Sequence, residues 1–355
     1  MNRDAKGTIT IYDVARAAGV SITTVSRVLR GESNVSASTR AQVQSAIEGL
    51  HFRPSALARS MTSKRTNTLG IVLPKLLNPH YARVFTGASE EAQRNGYAMT
   101  LFPFTSLIES DFDLATLLEE RFLDGAVILV EYLEPLQQEK LISSLTALKR
   151  HMPVVLIGRK PDLTAYPAVY HNMAQLMRAC VAYLTGLKHK RIAFVGGIEA
   201  DRDDIRRDVG YVEGLSLAGI DYDPSLRLYG GGTAQDGEQA LNRLLDTRPP
   251  TQWPTAVIAL NDLVAMGCMA AAKKHGLNVP GQLSVMGCDN LFFSPYLDPP
   301  LTTVDCRQES LGARAVQLLL AGETCQEEAE WEIIVRASCA GAERQTSDEV
   351  HKNAR

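Results

Sequence analysis

The sequence predicts an α/β protein: a small helical head followed by a larger core of two similar lobes, each a parallel, doubly wound sheet. Three observations predict it. From residue 68 onward short continuous apolar runs alternate with amphipathic helical stretches, as parallel strands covered by helices on both faces do. The rhythm restarts near residue 168, so two α/β halves follow one another with a cleft expected between them. The first 65 residues lack this alternation and are basic, with ten Lys and Arg against four Asp and Glu; that +6, set against a whole-chain −3, leaves −9 for residues 66–355. A basic head on an acidic body is the footprint of a protein that meets phosphate at one end.

The head opens with two short helices joined by a tight turn, within residues 11–30. Val14 and Ala15 on the first helix and Val25 and Leu29 on the second recur at helical spacing and are expected to face each other. Gly19 supplies the positive φ the bend needs, Val20 fills the corner, Ser21 is placed to cap the second helix and Gly31 to end it. This is a helix-turn-helix. Its second helix exposes Ile22, Thr23, Ser26, Arg27 and Arg30, whose hydroxyl, apolar and guanidinium groups suit base edges and phosphates of a major groove. A small three-helix bundle without DNA affinity would show the same local pattern. A third helix is expected over residues 38–50, capped by Ser36, with Val43, Ile47 and Leu50 on one face and Phe52 closing the core. Residues 54–61 begin with Pro54 and carry Leu57 and Met61 four apart, a helix too short to stand alone and expected to fold against a partner.

In the core, a strand is expected over 68–74, a helix over 81–95 with Val84, Phe85, Ala88 and Ala92 inward, and a strand over 97–102. A helix over 110–122, a strand over 125–130, a helix over 135–150 and a strand over 153–158 complete the first half. The second half reads as helix 171–187, strand 191–195, helices 208–218 and 234–246, strand 256–260, helix 263–275 and strand 283–287. Residues 342–355 are polar and free of leucine, a tail expected to be disordered.

Composition excludes several classes. The Met1-Asn-Arg-Asp-Ala-Lys6 start is followed by no apolar core, and no run approaches the ~20 apolar residues that span a bilayer, so a cytoplasmic protein with no membrane partner is expected. Six cysteines, Cys180, Cys268, Cys288, Cys306, Cys325 and Cys339, include no close pair at metal-ligand spacing. They are expected to be buried thiols, with no metal and no cofactor.

The run Tyr12-Asp-Val-Ala, Gly19-Val-Ser, Thr24-Val-Ser-Arg-Val, then Val35-Ser, Thr39-Arg and Arg53-Pro with Ala56-Leu-Ala-Arg-Ser closely resembles the head and hinge of the LacI/GalR family of bacterial transcriptional regulators. Over residues 68–340, phrases such as Asp124-Gly-Ala-Val-Ile, His189-Lys-Arg-Ile-Ala-Phe-Val-Gly-Gly, Asn261-Asp-Leu-Val-Ala-Met-Gly and Pro299-Pro-Leu-Thr-Thr-Val look like that family's periplasmic-binding-protein-like core. The resemblance implies a head over residues 1–53, a hinge helix and linker over 54–65, and a core over 66–341. It further implies three chain crossings between lobes, near 162–168, 288–298 and 325–332, giving a first lobe of about 66–165 and 292–328 and a second of about 166–291 and 329–341. The candidate DNA contacts it implies are Thr10, Tyr12, Ser21, Ile22, Thr23, Ser26, Arg27 and Asn34 in the head and Ala58, Arg59 and Met61 in the hinge. Met61 stands where the family usually carries a leucine wedge, and remains an apolar side chain of similar size.

Polar residues interrupt the apolar pattern at strand C-terminal ends: Asn261-Asp262 after one strand and Asp289-Asn290 after another. In a parallel sheet those ends line the ligand crevice, where rigid amide and carboxylate groups suit the adjacent hydroxyls of a sugar. The same residues read equally as helix caps, and Asp204 with Arg207 as a surface ion pair. The resemblance selects Arg207, Asn261 and Asp289 as effector contacts, and adds His80 and Tyr81 where the family places ring-packing residues. Lys75 and Arg159, also at strand ends, would with Arg207 make a cationic cleft for a sugar acid or sugar phosphate; a neutral sugar with those charges in solvent is the alternative. The resulting expectation is a homodimeric repressor of a double-stranded operator, controlled by a small sugar-like effector. A solute-binding protein for sugar transport is disfavoured by the basic head. An enzyme is disfavoured because no Gly-x-Ser-x-Gly, phosphate loop or carboxylate–histidine arrangement is present.

Overall fold

The computed structural model describes residues 9–29, 32–52, 66–73, 78–103, 114–121, 123–130, 135–148, 152–158, 165–197 and 202–342. They form two units that divide at Thr66.

The head holds α1 (Ile11–Ala18), α2 (Ile22–Leu29) and α3 (Ala37–Gly49). Thr10 opens α1, its backbone N–H and hydroxyl donating to Asp13 Oδ2 at 2.9 and 2.7 Å, and Gly19 closes it at φ 65°, so the turn into α2 uses the conformation only glycine adopts without strain. Ser21 Oγ accepts from Thr24 N–H at 3.1 Å and caps α2. Ser36 does the same for α3 through Thr39 N–H at 3.2 Å. Val14, Ala15, Val25, Val28 and Val43 form the core, with Val20, Ile47, Leu50 and Phe52 packed around it. One inward residue differs from expectation: Val28 takes the place given to Leu29, which is 38% exposed. Three residues turn a helix 60° short of a full circle and four carry it about 40° beyond, so either position can follow Val25; the short contact with α1 takes the smaller side chain.

In the core, the first sheet runs β11-β5-β4-β3-β1-β2 and the second β12-β10-β9-β8-β6-β7. The first sheet's strands are β1 (Thr68–Leu73), β2 (Ala98–Pro103), β3 (Gly125–Leu129), β4 (Val154–Ile157), β5 (Ala168–Tyr170) and β11 (Gln326–Glu328). All pair in parallel. Strands β3 and β4 are buried at every position, as strands sandwiched between helix layers must be, whereas β2 alternates and ends on Pro103 at the sheet edge. The second sheet holds β6 (Ile192–Val195), β7 (Arg227–Leu228), β8 (Ala256–Ala259), β9 (Ser284–Cys288), β10 (Thr302–Asp305) and β12 (Glu332–Ile334). Only β12, on β10, is antiparallel.

Helices α4 (Pro79–Arg94), α5 (Leu114–Glu120), α6 (Pro135–Leu148) and α11 (Gln308–Ala321) flank the first sheet; α7 (Met173–Gly186), α8 (Arg202–Leu217), α9 (Ala234–Thr247) and α10 (Asp262–Lys274) flank the second. Glycine lets α4 and α11 touch: a Cβ on Gly87 would lie 1.9 Å from the Glu309 carbonyl oxygen, and one on Gly312 would lie 2.0 Å from that of Val84.

Sheet membership locates the crossings between lobes. β5 belongs to the first sheet and α7 to the second lobe, so the chain first crosses at 171–172; β10 is in the second sheet and α11 in the first lobe, so it returns at 306–307; β11 and β12 bracket the third crossing at 329–331. The first two lie later than the expected 162–168 and 288–298, and residues up to Asp305 stay with the second sheet. The cause is local: β5 has three residues and β10 reads Thr-Thr-Val-Asp, neither an apolar run. The same brevity hides β7 and β12. Helix α8 begins at Arg202, six residues before the expected 208, which places Arg207 in its second turn. The hinge segment and residues 343–355 of the polar tail lie outside the described residues.

Candidate functional site

The C-terminal ends of the two sheets' strands meet around one side-chain contact. After β1, α4 starts with Asn78 accepting from His80 N–H at 2.9 Å, which turns the His80 ring toward the second lobe. After β9, the chain enters Asp289 at φ 114° and Asn290 at φ 50°, positive values uncommon for non-glycine residues although Asp and Asn adopt them more readily than most. His80 Nδ1 lies 3.0 Å from Asp289 Oδ1, and both residues are buried. The pair spans the cleft.

The strained backbone is held from every side, as such strain requires. Asp289 N–H donates to Val304 O at 2.8 Å, and its own carbonyl accepts from Gln308 Nε2 at 2.7 Å and Arg83 Nη1 at 3.2 Å. Arg83, on α4, also donates to Asn290 O at 3.1 Å and grips the Glu309 carboxylate with Nε and Nη2, each at 2.8 Å. One guanidinium therefore joins α4, α11 and the β9 loop, and Glu309's pKa is lowered by its hydrogen bond to Arg83. Asn290 Nδ2 donates to Asp305 at 3.1 Å and its Oδ1 accepts from Arg336 at 2.6 Å.

The other expected effector residues sit as follows. Arg207 is 4% exposed and acts, with His80, on the charge state of His171. Beneath it, Asp208 accepts from Arg227 Nε at 2.5 Å and Tyr229 OH at 2.7 Å, while the Arg227 guanidinium lies 4.0 and 3.8 Å from the ring centres of Phe194 and Tyr229. These contacts fix the turn of α8 that carries Arg207. Asn261 is the N-cap of α10: its Oδ1 accepts from Val264 N–H at 2.8 Å and its Nδ2 donates to Gly232 O at 3.0 Å, so its amide has the bonds of a cap. Tyr81 packs in the first lobe's core with Leu69, Val84 and Leu311, its ring edge-on to that of His80. Lys75 and Arg159, the remaining cations of the expected cleft, lie outside the described residues.

Three features of the cleft are not evident from the sequence. Asp262 is fully buried; it accepts from Leu291 N–H at 2.8 Å, Ser294 Oγ at 2.5 Å and Thr303 Oγ1 at 2.5 Å, tying the loop after β9 to α10. Burial, reinforced by the nearby Asp289 charge, pushes its pKa up to about 7 against the pull of those donors. His171 sits in the first crossing beside the backbone of Cys306 and Glu330 in the other two, and burial lowers its pKa to about 4, so it is neutral at pH 7. Cys288 and Cys306 place their sulfurs 3.6 Å apart, although eighteen residues separate them in sequence. Helix spacing and terminal Asn or Asp signal the caps; no local pattern signals contacts made across three crossings.

On the head, α2 presents Ile22, Thr23 and Arg27 to solvent with Ser26 half-buried; the pairs 22/26 and 23/27 lie one turn apart and make a single face. Tyr12 is 63% exposed and Asn34 is exposed. Thr10 and Ser21 hold the N-termini of α1 and α2. Arg27 lies 3.8 Å from Glu32 in a loose ion pair, its own side chain 47% exposed and open to exchange with solvent or a phosphate. Ala58, Arg59 and Met61, like Arg30, lie outside the described residues.

Residues 10–55 match the family of bacterial regulatory proteins named lacI, and residues 181–339 match a periplasmic binding protein-like domain. The catabolite control protein A of Priestia megaterium is 33% identical over 312 residues, covering 88% of this chain and 91% of that protein. The HTH-type transcriptional repressor PurR of Pasteurella multocida is 31% identical over 313 residues, 87% of this chain and 90% of its own. Among solved structures, the lac repressor dimer bound to operator and the anti-inducer ONPF superposes with a TM-score of 0.82 at 25% identity, over 94% of this chain and 100% of that one. The complex of the transcriptional regulator CelR with cellobiose gives a TM-score of 0.67 at 26% identity, over 93% and 99%.

Proposed function

The chain belongs to the LacI family of bacterial regulatory proteins and is a DNA-binding transcriptional regulator, and from that premise we propose a homodimeric, cytoplasmic, non-enzymatic repressor whose operator affinity is set by a sugar-class effector held between the lobes. Ile22, Thr23 and Arg27 read bases, while Tyr12, Ser26 and Asn34, with the N-terminal groups of Thr10 and Ser21, fix the head on the phosphate backbone. In the hinge, Ala58, Arg59 and Met61 enter the minor groove, Met61 as the wedge. His80, Arg207 and Asp289 bind the effector's hydroxyls. Arg159 adds charge if the effector is acidic, and Tyr81 and Asn261 support the site from the core and the α10 cap.

The observation that carries this reading is the His80–Asp289 contact of 3.0 Å. It joins groups from both lobes at the strand ends where a doubly wound sheet binds ligands, so a ligand that replaces or bridges it must change the lobe angle. The cellobiose and ONPF complexes of the related structures support a sugar-class effector. A thermal-shift screen of neutral sugars, sugar acids and sugar phosphates tests it. A ligand at a hundred times its Kd should add about 2.7 kcal/mol of stability, and this gain should vanish in Arg207→Ala. No stabilisation by any of the three classes would refute the effector class.

A further inference from the structure

Two groups of described side chains bring three metal-ligating atoms within 4.8 Å of one another: Glu323, Cys325 and Glu327 on the surface, and Cys288, Asp289 and Cys306 in the buried cleft. Arg314 already occupies the cation position of the first, with Nη2 at 2.5 Å from Glu327 and 3.3 Å from Glu323. The second group has a different origin. β9 and β10 are parallel neighbours with Cys288 opposite Val304; Cys306, two residues on, returns to the same face. Asp289 follows Cys288 at φ 114°, which swings its carboxylate back beside the two sulfurs.

We propose that Cys288, Cys306 and Asp289 bind one thiophilic divalent cation, Zn²⁺, in the interlobe cleft. Two sulfurs each about 2.3 Å from a tetrahedral zinc stand about 3.8 Å apart, close to the 3.6 Å found here, so the thiols need little movement to become ligands. The carboxylate supplies the third position, and a water would complete the tetrahedron. His80 Nδ1 holds the carboxylate from the other lobe, as outer partners of ligating groups do. Binding converts both thiols to thiolates and releases two protons to solvent; no electrons move. The bound ion with three anionic ligands carries one net negative charge, which faces the Arg83 guanidinium at the Asp289 carbonyl. Because Asp289 contacts His80 across the cleft, an occupied site would bear on the same lobe contact as the effector, yet its chemistry does not require the effector to be a sugar.

The test uses the full-length protein kept reduced with a phosphine and titrated with Co²⁺, a spectroscopic stand-in for zinc. The site predicts one equivalent of tetrahedral cobalt with sulfur-to-metal charge-transfer absorption, displaced by one equivalent of Zn²⁺. Cys288→Ser and Cys306→Ser should each weaken binding by more than about a hundredfold and, at saturating Co²⁺, leave about half the sulfur-band intensity, and His80→Leu should weaken binding by about ten- to a hundredfold. Cys325→Ser, at the Arg314-filled cluster, should leave the titration unchanged. Absence of the band, or its undiminished intensity and affinity in Cys288→Ser, or its loss in Cys325→Ser, would overturn the site. Circular dichroism confirms that each variant is folded. Sugar thermal shifts on the same samples separate the two proposals: failure of the cobalt titration with sugar stabilisation intact removes only the metal site.

Discussion

The residues with the largest consequences in the cleft are two buried titratable groups of opposite sense. His171 is held neutral, its pKa lowered to about 4 by burial, and Asp262 is pushed up to about 7. A depressed histidine contributes stability that is present above its unfolded pKa of ~6.5 and lost as pH falls toward 4. A raised carboxyl contributes stability that is present below ~3.8 and lost as pH rises toward 7. Between pH 7 and pH 4 the two oppose each other. His171→Gln should therefore gain stability on acidification over this window and Asp262→Asn should lose it, by up to roughly 3 kcal/mol each. Urea denaturation at pH 7, 5.5 and 4.5 reads the slopes, and equal slopes in both variants would contradict the assignment. In the head, Arg27→Ala should weaken operator binding by about tenfold to a hundredfold, the 1–3 kcal/mol of a lost guanidinium contact, while sugar-induced stabilisation persists. Undiminished affinity in a gel-shift titration would remove Arg27 from the interface.

Among the elements, those legible in the sequence are the ones whose apolar spacing exceeds a turn or a strand's length. The caps of α2 and α3 stand at Ser21 and Ser36, as expected, because hydroxyl chemistry at a helix start is local; Thr10, not expected as a cap, opens α1 by the same chemistry. Val28 replaces Leu29 because two spacings satisfy one short helix, and β5, β7, β10 and β12 are too short, or too rich in Thr and Glu, to signal a strand before their neighbours are known. The crossings are misplaced for the same reason. Candidate site residues divide likewise. Asp289, at the end of an apolar strand, meets a group from the other lobe, whereas Asn261, at an equivalent strand end, is bonded as a helix cap. The hydrogen-bond partners of the Asp289 carbonyl come from far off: Arg83 lies 206 residues earlier on α4, and Gln308 lies beyond the second crossing on α11. The α4–α11 contact gives an element-scale prediction. Gly87→Ala puts a methyl 1.9 Å from the Glu309 carbonyl oxygen, separating the helices that Arg83 joins. It should cost at least about 1–3 kcal/mol of core stability in a denaturant melt. A variant as stable as the wild type would show that the helices can part freely.

For the whole molecule, the head carries the positive charge and the DNA-reading face, and the core carries the cleft. No helix among the described residues is long and apolar enough to cross a membrane. Two ligands on separate units can influence one another only if each prefers one of two lobe arrangements, and the coupling is reciprocal. In the proposed mechanism Arg83 carries that coupling and can be mutated without touching DNA: it binds the β9 loop carbonyls from α4 and the Glu309 carboxylate on α11. Arg83→Ala should leave operator affinity in the absence of effector within a few fold of wild type and shrink the effector's influence on it. The direct test is an anisotropy titration of the protein on an operator selected from a randomised pseudo-palindromic pool, with and without a saturating sugar found by thermal shift. The cleft-controlled mechanism predicts that the sugar changes operator affinity by about fivefold or more in the wild type and not at all in Arg207→Ala. An operator affinity that is the same at zero and saturating sugar in the wild type would contradict it.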